Sequence, residues 1–190
     1  MDRFISYEKK VSNKTALLNL PAVRSYLGYH DIDIIPSKFK KKVTLPKLPI
    51  EHEQPIDVAD VRKLLQACSN RRLKTYLLVL ASGGMREIEA SAIRIKDIDF
   101  SSPTRVHIRK EYAKTRAARD IYISDEAAHQ LKTWIDWKHR NGRPKTDNDL
   151  VFSLRSENPS FIYHDLSQEF SKVRDLAGFR RGKMAARDIR

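Results

Sequence analysis

Four of the chain's eight prolines, Pro36, Pro46, Pro49 and Pro55, fall in one short stretch that also carries the run Ser37-Lys38-Phe39-Lys40-Lys41-Lys42. Proline removes a backbone donor and turns the preceding residue away from helical geometry, so no long helix or central strand can cross such a segment. The chain is therefore expected to fold in pieces: a helical N-terminal segment at 1–35, an extended basic linker at 36–55 and a domain at 56–190. The first piece is too short to bury a core of its own. A charge run like that at 37–42 is as readily a solvated tether as a phosphate-binding strip.

Residue content then narrows the class. Of 190 residues, 41% are hydrophobic and 32% charged, so the chain can build a core while exceeding the roughly 25% charge of an average soluble domain. The longest apolar run, Tyr76 to Ala81, falls far short of the ~20 residues a membrane helix needs. Met1 to Lys10 has no apolar signal core, and a cytoplasmic protein is expected. A single cysteine, Cys68, cannot form an internal disulfide, and six scattered histidines offer no zinc-type spacing, so no metal is expected. The 37 Lys+Arg against 24 Asp+Glu leave +13, which favours a polyanionic partner, nucleic acid or an anionic membrane surface. Ribosomal and other basic scaffolds carry the same surplus.

Periodicity predicts a mainly α protein with a small antiparallel sheet (α+β). Leu17, Leu20, Val23, Arg24 and Leu27 mark a first helix stopped at Gly28. Asp57 is a candidate N-cap before Val61, Leu64 and Leu65. A more buried helix spans about Arg72 to Ala81 and breaks at Ser82-Gly83-Gly84, with a short helix from about Arg86 through Glu89 and Ala92. Val106 and Ile108, then Ile121 and Ile123, alternate with polar residues, predicting a hairpin with its tip at Ala113 to Arg119. Ser124 caps the next helix, whose acidic first turn and basic last turn suit the helix dipole; Asn141-Gly142 ends it. Trp134 shares a face with Leu131 and Ile135 and reads as core rather than as a base-stacking platform. A short strand is expected at Leu150 to Phe152, then a helix opened by an Asp165/Gln168 capping box and closed by Gly178.

Three basic sites stand apart in sequence. A helix starting after Gly83-Gly84 would point its free N–H groups and the Arg86 guanidinium at whatever lies in front, which makes an anion site. The plainer reading is an Arg86 ion pair with Glu89, one turn on. Lys114, followed by Arg116 and Arg119, sits in the hairpin tip, where it can reach a phosphate or supply a proton. Arg180, Arg181, Lys183, Arg187 and Arg190 form the third cluster.

The run Leu80-Ala81-Ser82-Gly83-Gly84-Met85-Arg86-Glu87-Ile88-Glu89-Ala90 resembles the first box of the tyrosine recombinases, the phage-integrase family, in which a Gly-hydrophobic-Arg-x-x-Glu pattern carries the first catalytic Arg. Ile93 to Phe100 is similar to the segment that leads into that family's three-stranded sheet, and Lys114 matches its β-hairpin lysine. The order and spacing agree over Pro55 to Arg190. The linker and the helix before it resemble the end of a core-binding domain. Arg187-Asp188-Ile189-Arg190 is the best match to the second box, usually His-x-x-Arg; Arg187 stands where His is usual, as in some archaeal viral members.

The resemblance implies catalytic roles for Arg86, Lys114, Arg187 and Arg190 with Glu89 in support, and DNA contacts from Lys38, Lys40, Lys41, Lys42, Arg116, Arg119, Arg180, Arg181 and Lys183. In the family a Tyr hydroxyl attacks a DNA phosphodiester to give a 3′-phosphotyrosyl link, which a freed 5′-hydroxyl reverses. Neither metal nor nucleotide cofactor is implied. The partner would be double-stranded DNA, with a homo-oligomer on DNA left open and neither a membrane nor a small-molecule substrate involved, in a prokaryotic, viral or mobile-element setting close to the nucleoid. The family's nucleophile lies beyond its second box, whereas Tyr7, Tyr26, Tyr29, Tyr76, Tyr112, Tyr122 and Tyr163 all precede it here and read as core or sheet residues. The expectation is a chain that binds DNA but does not cleave it alone. A basic DNA- or RNA-binding module without catalytic ancestry, or a regulatory remnant of a split integrase gene, remains the alternative.

Overall fold

The computed structural model describes residues 13–42, 56–140 and 145–179. The chain divides between His52 and Glu53 into two compact units. In the first, α1 (Asn13–Tyr29) carries the predicted apolar spacing and includes Pro21; it ends one residue past Gly28, the expected stop. The extended reading of the linker does not hold at its start, because Pro36–Lys42 is helical (α2). Proline is pre-shaped for a helix's first position, and lysines are good helix formers, so this run is helix-compatible once the proline leads it. Residues 43–55, the rest of the expected linker, lie outside the described residues.

The second unit holds α3 (Val58–Ala67), α4 (Arg71–Gly83), α5 (Glu87–Ser91), a 3₁₀ turn at Ile95–Asp97, β1 (Ile98–Asp99), β2 (Arg105–Ile108), β3 (Arg119–Tyr122), α6 (Asp125–His139) and α7 (Pro159–Leu176). It is mainly helical with a three-stranded antiparallel sheet in the order β1-β2-β3. Local chemistry explains most boundaries. Asp57 caps α3 by accepting the Asp60 N–H at 2.7 Å, and Asn70 caps α4 by accepting that of Leu73 at 3.2 Å. Ser124 caps α6 as expected, accepting the Ala127 N–H at 3.4 Å.

The core gathers Leu64, Leu73, Leu77, Leu80, Met85, Ile93, Leu131, Trp134, Ile135 and Phe152, all fully buried. Val106 and Ile108 point into it, while Arg105 and His107 face outward toward Asp120. Trp134 is core, its indole N–H donating to the Val151 carbonyl at 2.9 Å. Of the tyrosines, Tyr76 is core, with its ring edge-on to Phe152, and Tyr122 lies in the sheet. Tyr26, Tyr29 and Tyr163 are surface residues, contrary to the core reading.

Three expected elements differ. Arg119 belongs to β3, paired with Ile108, so the hairpin loop spans 109–118 rather than reaching Arg119. Leu150 to Phe152 is no strand; it makes one bridge, Arg94 to Leu150. Its carbonyls take side-chain donors instead: Lys138 Nζ on Leu150 at 2.6 Å, Trp134 Nε1 on Val151, and Arg72 Nε on Phe152 at 2.9 Å. Asp165 does not cap α7, which starts six residues earlier at Pro159, with Asn158 accepting the Ser160 N–H at 2.9 Å. An Asn-Pro start outcompetes the later capping box, and Asp165 sits mid-helix on the buried Arg72.

Candidate functional site

The paired glycines before Arg86 do separate jobs. Gly84 ends α4 at φ +58, the left-handed conformation, and its N–H donates to the Leu80 carbonyl at 3.0 Å. Gly83 gives room: a Cβ there would stand 2.8 Å from Met85 Cε and 2.9 Å from Ile121 Cδ1. The turn thus lets the end of α4 close against β3 while redirecting the chain into α5. Met85 is fully buried beside this turn, which fixes the backbone on which Arg86 stands. The Tyr76 hydroxyl anchors the other side, donating to the Glu87 carbonyl at 2.8 Å.

Arg86 is the N-cap residue of α5. Its backbone N–H donates to Glu89 Oε2 at 2.8 Å and its Nη1 to Glu89 Oε1 at 2.9 Å. The expected ion pair is therefore present. It also bears on the anion-site reading, since the N–H of Arg86 itself is taken by Glu89 while its guanidinium commits one Nη. The Glu89 side chain has no solvent exposure, whereas that of Arg86 is 37% exposed. No hydrogen bond occupies Arg86 Nε or Nη2 among the described residues.

A second guanidinium meets the same carboxylate. Arg119 Nη1 donates to Glu89 Oε1 at 3.0 Å and Nη2 to Oε2 at 2.7 Å, a bidentate pair across 30 residues of chain. Burial by itself would push the Glu89 carboxyl up; the hydrogen bonds from Arg119, then those from the Arg86 backbone and guanidinium, outweigh it and hold the group below its ordinary value. Glu89 in turn raises Arg119. Two guanidiniums and one carboxylate leave a net positive charge at a half-exposed rim.

Arg119, expected from sequence as a DNA contact at the hairpin tip, has Glu89 as its partner. A signal existed. Arg119 alternates with Ile121 and Ile123, which puts a charged residue on the core-facing side of β3, where it needs a buried partner. The hairpin that carries Lys114 is also tied at its base, where Arg109 donates from Nε and Nη2 to the Asp97 carboxylate at 2.8–3.1 Å. Lys114 and Arg116 are exposed on the loop between these ties, Arg116 at φ +51. The structure thus brings Arg86, Glu89 and Arg119 into contact.

Lys38 and Lys42 are exposed, one turn apart on α2, in the other unit; Lys40 and Lys41 share that helix. Arg180, Arg181, Lys183, Arg187 and Arg190 lie outside the described residues. Among the described residues, no group of three or more His, Cys, Asp or Glu is placed to hold a metal, and no helix is long and apolar enough to cross a membrane.

Known proteins share this fold. The profile of the phage integrase family matches residues 54–190, well over half of the chain. The tyrosine recombinase XerA of Saccharolobus solfataricus is 24% identical over 166 residues, covering 87% of this chain and 50% of that protein. Transposase A from transposon Tn554 of Staphylococcus aureus is 22% identical over 160 residues, covering 80% of the chain and 42% of the transposase. Among solved structures, the post-cleavage complex of the XerH site-specific recombinase with palindromic difH substrate superposes with a TM-score of 0.64 at 19% identity, over 96% of this chain and 53% of that one. The XerA recombinase crystal structure gives 0.58 at 21%, over 98% and 62%. The chain spans about half the length of the curated relatives it matches. With the match running through the Arg86 box, the sheet and the Lys114 hairpin, the chain belongs to the phage integrase family of tyrosine recombinases.

Proposed function

We propose that this chain binds double-stranded DNA as part of a site-specific recombinase, with Arg86 as a grip on a backbone phosphate and Lys114 brought to the same phosphate by its hairpin. The observation that carries this reading is the Arg86 guanidinium itself: one Nη is held by a buried carboxylate, and among the described residues the Nε–Nη2 edge is left open at a half-exposed rim. Such an edge presents two parallel N–H donors, the geometry that two phosphate oxygens accept. The net charge of +13 supplies the long-range attraction to duplex.

Arg187 and Arg190 complete the phosphate site in this proposal, with Arg187 stabilising charge rather than relaying a proton, since a guanidinium keeps its proton at working pH. Lys38, Lys40, Lys41, Lys42, Arg116, Arg180, Arg181 and Lys183 supply flanking backbone contacts. Residues 1–35 and the basic stretch after them act as part of a core-binding segment. In the strand-exchange chemistry of the whole protein, the Arg donors stabilise charge developing on the phosphoryl oxygens, and Lys114 donates a proton to the leaving oxygen. No metal or nucleotide cofactor enters this scheme.

The test is duplex affinity measured by fluorescence anisotropy for the wild type, R86Q and K114Q. Each variant is expected to weaken binding on the order of tenfold, the loss of one charge-assisted contact. Unchanged affinity in both variants would contradict the proposal.

A further inference from the structure

We propose that Arg109 is a positioning residue for Lys114: by gripping the carboxylate of Asp97 it fixes the start of a chain of turns that ends on the lysine, which is thereby held out on a preformed arm rather than on a swinging tip. This rests on the reading of Lys114 as a phosphate contact given above and adds to it the device that aims the lysine.

Asp97 closes the 3₁₀ turn before β1, and its side chain is only 7% exposed. A carboxylate so enclosed needs its donors from the protein. The Arg94 N–H supplies one to Oδ2 at 2.8 Å, which pins the side chain to its own turn. Arg109 supplies the rest, from Nε to Oδ1 at 3.1 Å and from Nη2 to Oδ1 and Oδ2 at 2.9 and 2.8 Å. An exposed ion pair held by one bond would fix nothing, but here the Arg109 side chain is itself only 22% exposed and engages both carboxylate oxygens. It cannot swing away without breaking several bonds at once.

Arg109 is also the first residue of the loop at 109–118. Its carbonyl accepts the Tyr112 N–H at 3.3 Å, the Lys110 carbonyl accepts that of Ala113 at 3.3 Å, and the Ala113 carbonyl accepts that of Arg116 at 2.9 Å. Turns therefore follow one another from the clamp to the tip, and Lys114 and Thr115 are the central residues of the last. Ala113, directly before the lysine, is buried at 5% exposure, whereas residues 114–118 are exposed. Arg116 closes the turn at φ +51, a backbone state that a residue with a Cβ keeps where its surroundings fix it. A lysine has a long flexible stem to order when it meets a phosphate. With the backbone beneath it already fixed, binding has that much less to order, and the ammonium is presented at a set place.

A double-mutant cycle in duplex affinity tests this on the full chain, with R109Q, K114Q and the two combined. K114Q should weaken binding about tenfold, and R109Q alone should weaken it by several-fold. In the K114Q background, R109Q should change affinity by less than about twofold, because no cation is left at the tip to aim. An equal loss from R109Q in both backgrounds would show Arg109 acting on its own, through its charge or through the fold at large, and would overturn the inference; so would an R109Q that binds like wild type. A K114Q that binds like wild type would instead overturn the phosphate reading of Lys114, and the inference with it. Thermal melts identify a variant that unfolds, and a measurement on the free wild type needs no variant: backbone amide relaxation should give order parameters near 0.85 at residues 113–116, as for a rigid segment, whereas values below about 0.6 would make the tip mobile and overturn the preformed arm. In R109Q the same amides should fall below about 0.6; unchanged values would show that the loop is fixed without Arg109 and would overturn its role.

Discussion

Glu89 has no solvent exposure, so its ionisation is held up, among the described residues, by Arg86 and Arg119. Its folded-state value lies below the ordinary carboxylate range, about 4.3 for a free Glu. The stabilisation from this shift is therefore complete above the unfolded value and is lost as pH falls through the folded one. Chemical denaturation across pH should show wild type losing stability below about pH 4.3 more steeply than E89Q. E89A at neutral pH removes the partner of two arginines and should cost about 3 kcal/mol. Gly84 offers a backbone probe of the same turn: at φ +58, Gly84→Ala should cost ~1 kcal/mol, read as a lower melting temperature. The Gly-Gly before Arg86 was legible in the sequence as a break, because glycine's lack of a Cβ is a local property. That Gly83 serves packing against Ile121 and Gly84 serves conformation was not, since the difference is made by a strand almost 40 residues on.

At the scale of elements, the irregular segment at Leu150 to Phe152 is held by side chains of α4 and α6 rather than by a neighbouring strand. Arg72 is central, being buried and bonded to both the Phe152 carbonyl and Asp165, so it fastens this segment and α7 to α4. Arg72→Ala would leave a carbonyl and a carboxylate without their donor and should destabilise the chain by about 3 kcal/mol, seen as a lower denaturation midpoint. The capped starts of α3 and α6 were readable because an N-cap and the N–H it accepts lie within three residues. The start of α7 was misread because Asp165 has the right residue type for a cap but finds its partner 93 positions away, on Arg72. The same limit hid the Arg119–Glu89 pair, although the alternation of β3 carried a hint in a charged residue facing the core.

At the scale of the molecule, the order of first box, sheet and hairpin was readable from the sequence because each is a local pattern, and the family match over 54–190 spans them. The prolines of the linker predict extended chain, yet its first seven residues are helical, since a proline at the head of a lysine run starts a helix as readily as it breaks one. Part of the positive surplus lies on an exposed lysine pair on α2, Lys38 and Lys42, on Lys114 and Arg116 of the hairpin loop, and on the half-exposed arginines on Glu89. If that surplus serves a DNA clamp, binding must release counterions from the duplex. The salt dependence of duplex affinity tests this most directly. With around six phosphate contacts, log affinity should fall against log salt with a slope near −5, whereas a slope near zero would contradict the account.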